Sequence, residues 1–278
     1  GGGSAAVIWP GGGAPVDLGA LPGEGFSNAV DISDTGWIVG NASDTSQAWY
    51  IDPDVGTVTV MDPVAGATIT QVRAVNDAGT AVGRVRVDGE FEPFTWNVDD
   101  GITLLPEPPG EERFEPQQIN DLGQIVGFVY EFIAPDGVYR TYVLDPDDGY
   151  RQLSVEGFVS AFPHGLSDSG WVVGFVDDNG LDPRVPAAWN LTSGDAEAFP
   201  AFSDDAFTNE LNAVNESGGV VGISREGDDL DRTFVGTVGP DPEPPVEEPV
   251  EEPVATPETP TPTAQPATVV RATPRFTG

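Results

Sequence analysis

The chain has 278 residues, enough for one large all-β domain or two small ones, and its 46 acidic against 11 basic residues leave a net charge of -35. All 11 basic residues are arginine, and there is no cysteine. Such a surface repels nucleic acid and anionic membrane, and a chain without cysteine builds neither a disulfide framework nor a thiolate metal site.

In chain order, Ala6-Val7-Ile8-Trp9 predicts a short strand, Pro10-Gly11-Gly12-Gly13 a turn, and residues 15–21 a second strand. A nine-residue motif then appears as Ile32-Ser33-Asp34-Thr35-Gly36-Trp37-Ile38-Val39-Gly40 and returns four more times, at 75–83, 119–127, 166–174 and 214–222. Its first glycines are Gly36, Gly79, Gly123, Gly170 and Gly218, spaced 43, 44, 47 and 48 residues apart. Self-similarity at that period is the mark of solenoids, propellers and arrays.

Each repeat predicts four strands. The first ends in the opening Ile, Val or Leu of the motif. A tight Asp-x-Gly turn follows, in which glycine supplies a positive φ and Asp or Asn caps its own backbone. The second strand is a β-branched run such as Ile38-Val39 or Val172-Val173, a composition that implies burial on both faces. The third carries apolar residues two apart, as in Trp49 and Ile51, Phe94 and Trp96, Tyr142 and Leu144, and Ala187 and Trp189, so each pair shares one face. A second Asp/Asn/Gly turn leads to the fourth strand. Nothing in residues 1–239 reads as an amphipathic helix of three turns.

The composition changes at Pro240. Residues 240–278 hold 11 prolines in 39 positions, with glutamate and threonine supplying most of the rest. They are expected to be a disordered, extended spacer, because they cannot bury enough apolar surface to fold. The domain reading is therefore a repeat domain at 1–239 and a spacer at 240–278. Seven acids and two arginines fall in the spacer, so the repeat domain carries 39 acids and 9 arginines.

The repeat resembles the HAF-repeat proteins, a family of extracellular repeat proteins with the pattern Ile-Asn-x-x-Gly-x-Val-Val-Gly, then His-Ala-Phe-x-Trp, then Leu-Gly-x-Leu-x-Gly. Residues 119–127 match the first part almost fully, and Asp17-Leu18-Gly19-Ala20-Leu21-Pro22-Gly23 matches the last. The similarity spans about 26–236 and the N-terminal strands. No copy keeps the His-Ala-Phe triplet; Gln47, Glu92, Arg140, Val185 and Arg232 stand at its histidine position. The resemblance implies an extracellular setting and brings no reaction or catalytic residues.

Other candidates are weighed on their residues. Asp145 and Asp147, and Asp177, Asp178 and Asp182, are closely spaced oxygen ligands that calcium could use, although hairpin turns use the same residue types. Trp37 and Trp171 hold one repeat position and read as strand-end packing, with ligand stacking as the alternative. His164 is the sole histidine and reads as structural. Arg140, Arg184 and Arg232 stand near Asp136, Asp182 and Asp231, which predicts local ion pairs. The turn shares its Asp-x-Gly with the Asp-box of sialidase-type propellers but lacks the serine and the Thr-Trp. Asn41, Asn190 and Asn215 open glycosylation sequons.

The expected fold is an all-β propeller of four-stranded antiparallel blades, five in number, with the chain ends sharing one blade; six blades, one incomplete, is the alternative. The expected function is a non-catalytic, secreted or cell-surface module for binding or display, monomeric, with no cofactor and a carbohydrate or protein ligand. Its alternatives are a propeller enzyme acting on extracellular polysaccharide and a calcium-stabilised adhesion element. The acidity suits an extracellular or saline setting. No apolar run is long enough to span a membrane, and the start without methionine reads as a processed product.

Overall fold

The computed structural model describes residues 6–9, 13–18, 27–42, 46–133, 136–178, 183–200, 206–226 and 230–239. Internal contacts divide the chain into Gly1–Asp241 and Pro242–Gly278. The expected spacer at 240–278 lies outside the described residues, as does Asp182.

The described residues form 21 strands and no helix. A short hairpin comes first, β1 (Val7–Ile8) and β2 (Val16–Asp17). Four four-stranded sheets follow. They are β3 (Ser27–Ile32) to β6 (Val58–Val60) through β4 (Ile38–Ala42) and β5 (Gln47–Ile51), and β7 (Ala67–Val75) to β10 (Gly101–Leu104) through β8 (Ala81–Val87) and β9 (Glu90–Asn97). Next are β11 (Glu115–Ile119), β12 (Ile125–Ile133), β13 (Asp136–Asp145) and β14 (Gly149–Leu153), then β15 (Ser160–Leu166), β16 (Trp171–Asp177), β17 (Val185–Asn190) and β18 (Ala196–Ala198). The last sheet has three strands, β19 (Ala206–Val214), β20 (Gly219–Glu226) and β21 (Leu230–Thr237). Consecutive strands pair antiparallel throughout, so each sheet is a meander in sequence order.

The second strands explain how the sheets stack. Val39 packs with Val72, Ala81 and Trp96 of the next sheet. Val82 packs with Phe114 and Ile125, Val126 with Val172 and Trp189, and Val173 with Leu211 and Val220. The adjacent valine faces the other way, and Val172 and Val173 are both fully buried, as their β-branched run implies. Each sheet therefore lies face-on to the next. The motif turns of all five large sheets converge on one cavity of about 330 Å³. This radial stacking of antiparallel meanders is a β-propeller.

The chain ends do not share a blade among the described residues. The β1–β2 hairpin is its own two-stranded sheet, and Ala6, Ile8 and Leu18 pack on Ile38, Trp49 and Ile51. Burial against that apolar surface draws the hairpin to the first large sheet rather than to β21. The far face of the last sheet stays open. Val221 is 46% exposed, whereas Val39, Val82, Val126 and Val173 at the same repeat position are at 0%. Among the described residues the propeller thus has five large blades and, beside the first, a two-stranded hairpin in place of a sixth.

Two glycine positions shape each blade. All five first glycines have positive φ, between 75° and 95°. At Gly123, with φ 76°, a β-branched side chain is strained, and Gly123→Val is expected to cost about 1–3 kcal/mol. An unchanged denaturation midpoint in that variant contradicts the role assigned to the turn.

The closing glycine of the motif has a different task. Each first strand carries a β-bulge, between Ala29 and Asp31, Val72 and Ala74, Pro116 and Gln118, Pro163 and Gly165, and Leu211 and Ala213. The residue before each shift pairs with Gly40, Gly83, Gly127, Gly174 or Gly222. A Cβ on any of these would lie under 3.0 Å from a first-strand carbonyl oxygen. Glycine within a strand here marks close backbone approach at a bulge.

Candidate functional site

The repeated and the non-repeated polar residues separate to opposite ends of the ring. Each second strand starts at its motif turn and runs to a hairpin at the other end, as β8 does from Ala81 to Val87.

At the turn end, the acids of the second to fifth motifs reach across to the preceding blade. Thr35 N–H donates to Asp77 Oδ1 at 2.9 Å, Asp77 N–H to Asp121 Oδ1 at 2.8 Å, and Asp121 N–H to Asp168 Oδ1 at 2.6 Å. Glu216 closes the series by accepting from Asp168 N at 2.9 Å and Ser169 N at 2.8 Å. This corrects the sequence reading, in which the acid capped its own turn. The cap belongs to the residue before it: Asn76, Asn120 and Asn215 Oδ1 accept from the N–H four residues on, and Ser33 and Ser167 Oγ do the same. A carboxylate is long enough to reach a neighbouring main chain, which no local turn rule anticipates.

The ladder spreads the carboxyl pKa values. The Thr35 N–H holds Asp77 below the usual carboxylate range. Asp121 accepts from Asp77 N, but burial and the charges of Asp168 and Asp77 outweigh that bond and raise it. Burial also raises Asp31, whose two oxygens accept from Val75 N and Ile32 N at 2.9 Å.

The opposite end carries residues that do not repeat. Glu210, on β19, has its side chain 11% exposed. His164 Nε2 lies 3.3 Å from Glu210 Oε2, and Arg184 Nη1 donates to the same oxygen at 3.1 Å. The bond from His164 pulls the Glu210 carboxyl down against the opposing effect of burial, and the Arg184 charge adds to it. The Arg184 guanidinium stacks 4.4 Å over Phe175. Phe175 is parallel to Phe162 at 5.4 Å, and Phe162 continues to Phe128 and Tyr139 at 4.6 and 5.0 Å. Tyr130 and Phe132 extend this aromatic row into solvent.

Next to it, Arg84, Arg86, Arg113 and Phe91 line a cavity of about 400 Å³. Arg84 and Arg86 lie 4.4 and 5.8 Å from the Phe91 ring centroid. Arg84 pairs with Glu115 at 2.6 Å, and Arg86 Nε donates to Gly89 O at 2.9 Å. Arg140 is clamped between Glu111 and Glu131. Tyr142 donates to Glu111 at 2.9 Å, and burial, with that bond, pushes its pKa up to about 12.

The sequence candidates fall in separate places. Asp145 is held in its own turn: Oδ1 accepts from Asp147 and Asp148 N–H, Oδ2 from Gln124, and these bonds lower its pKa, that from Gln124 most. Asp177 ends β16 and Asp178 follows it, at the other end of the ring, while Asp182 of the same loop lies outside the described residues. Among the described residues no three or more His, Cys, Asp or Glu groups are placed to hold a metal ion. Trp37 rests on Gly79 of the next blade and 6.3 Å from Tyr50, a packing role. Trp171 rests against Gly239 and lines a cavity of about 670 Å³. Arg140 pairs with Glu111 and Glu131 and Arg184 with Glu210, all brought in by other elements; Asp182 and the side chains of Asp136 and Asp231, the local partners expected from sequence, lie outside what the structure describes. Glu210 and the Arg84–Arg86–Phe91 group went unread in the sequence; arginines two apart on a strand were the available signal.

No family model matches this chain, and no curated protein matches it in sequence. Solved structures do. A TolB-like protein of Agrobacterium tumefaciens superposes with a TM-score of 0.57 at 14% identity, covering 81% of each chain. A gluconolactonase of Xanthomonas campestris gives 0.44 at 15% identity over 76% of each chain. A structure of the nidogen/laminin complex gives 0.44 at 11% identity over 79% of this chain and 83% of that one. The first of these shows the shared fold; identities this low extend to nothing else.

Proposed function

We propose that the repeat domain is a non-catalytic binding module of the HAF-repeat kind, secreted or displayed at a cell surface, whose non-repeated end recognises a protein or carbohydrate. One observation carries this reading: the repeated carboxylates are engaged in holding blade to blade, while arginines and aromatic rings that do not repeat collect at the opposite end. Repetition serves the ring, and variation serves recognition. The acidic, lysine-free composition supports an extracellular or saline setting. Among the described residues no helix is long and apolar enough to cross a membrane.

The test is capture on arrays of extracellular glycans and proteins, at fixed ionic strength. Arg86→Ala and Phe91→Ala, or Arg184→Ala, are expected to lose at least ten-fold in affinity for the captured ligand, whereas Asp34→Ala at the turn end retains it. Release of reducing ends from a polysaccharide substrate, or equal loss in Asp34→Ala, overturns the proposal.

A further inference from the structure

We propose that the outer edge of β21 accepts an extended segment of another polypeptide as a fourth strand, with a large aromatic or apolar side chain inserted opposite Gly236 beside Trp171. The four sister sheets show what this position holds. In each, a fourth strand pairs antiparallel with the third: Val58 to Val60 with Trp49 to Ile51, Gly101 to Leu104 with Phe94 to Asn97, Gly149 to Leu153 with Thr141 to Asp145, and Ala196 to Ala198 with Ala187 to Trp189. The last sheet stops at β21, and among the described residues nothing pairs with its outer edge. Unpaired N–H and C=O groups along an edge are a template for strand addition.

The space beside this edge has a defined shape. Gly236 pairs with Val220, as Trp96 pairs with Ala81 and Trp189 with Val172. The last sheet thus has no side chain where two of its sisters carry tryptophan. Between the first two large sheets, Trp37, Trp96 and Ile102 of the fourth strand share one core. Trp171 has the place of Trp37, but with Gly236 for the tryptophan and no fourth strand, it faces the cavity of about 670 Å³. Ala188 and Phe199 form apolar walls, and Asp195 and Glu197 stand at the rim.

These features describe the occupant. The sister strands alternate apolar and polar residues, as in Val58-Thr59-Val60 and Ile102-Thr103-Leu104; Val58 and Val60 pack in one core with Trp49 and Ile51, and Ile102 in another with Trp96. A segment on β21 therefore places one apolar residue opposite Phe234 and a larger one opposite Gly236, with a polar residue between. The two rim acids and the net charge of -35 favour lysine or arginine on either side. This site is remote from the arginine and aromatic surface, so the two proposals stand or fall separately.

The probe is a labelled, capped peptide Lys-Trp-Thr-Val-Lys, titrated into the full chain by fluorescence anisotropy. Binding is expected, together with slowed hydrogen exchange of the β21 amides. Methylating the peptide's central backbone nitrogen is expected to weaken binding at least ten-fold, since strand addition uses main-chain donors. Gly236→Trp is expected to abolish binding and raise the melting temperature; a Cβ there meets only Val220 Cγ2, at 3.6 Å. Equal binding of the methylated peptide overturns the proposal even if Gly236→Trp fails to fold. So does slow exchange of the β21 edge before peptide is added, or displacement of the peptide by a neutral oligosaccharide, which would make Trp171 a sugar platform.

Discussion

Gly127→Ala is expected to lower stability by about 3 kcal/mol or more, the severe end of overpacking. A methyl group at Gly127 would enter the Glu115 carbonyl oxygen and, within 3.0 Å, the Phe114 ring. Neither can move aside. The carbonyl belongs to the bulged pairing of β11 with β12, where Pro116 lies opposite Gly127. The Phe114 ring is buried in the core shared with Ile119, Ile125 and Tyr142. Relieving the clash means undoing the bulge and shifting the innermost strand of the blade. Gly83→Ala should behave alike, since its Cβ would meet the Gln71 carbonyl in the same way. Denaturant midpoints for the two variants measure this directly. A loss under 1 kcal/mol in both would mean that the first strands can straighten, and that the bulge is not what demands glycine.

Melting temperature is expected to rise by roughly 5–15 °C from low salt to molar sodium chloride, as a gain of a few kcal/mol would give for a domain of this size. The repeat domain holds 39 acids and 9 arginines, so folding brings like charges together. The ring concentrates this effect: Asp34, Asp77, Asp121, Asp168 and Glu216 line one cavity, and Asp121 is raised in part by the charges of Asp168 and Asp77. Salt also weakens pairs such as Arg84–Glu115 and Arg184–Glu210, but these are few. A flat or falling melting temperature would show the repulsion to be neutralised already. If micromolar calcium reproduces the effect of molar sodium, the calcium-stabilised reading replaces simple screening.

The sequence alone determined the strands, the turns and the radial stacking. The positive φ at Gly36, Gly79, Gly123, Gly170 and Gly218 and the period-two faces of Trp49 and Ile51 follow from forces within a few residues of chain, and the β-branched run Val172-Val173 signalled burial on both faces. Glycine at positions 40, 83, 127, 174 and 222 was visible as a pattern, but its cause was not, because the bulge opposite it lies on another strand. Only the tertiary structure decided where the longer side chains end. Asp77, Asp121, Asp168 and Glu216 leave their own turns for main-chain donors 42 to 48 residues away, and Arg184 meets Glu210 and Phe175 on other strands. The placing of β1–β2 on the first large sheet is likewise an outcome of burial across the ring. Local propensity specifies a strand and its turn; which distant group meets a flexible charged side chain depends on distances that exist only once the blades have packed.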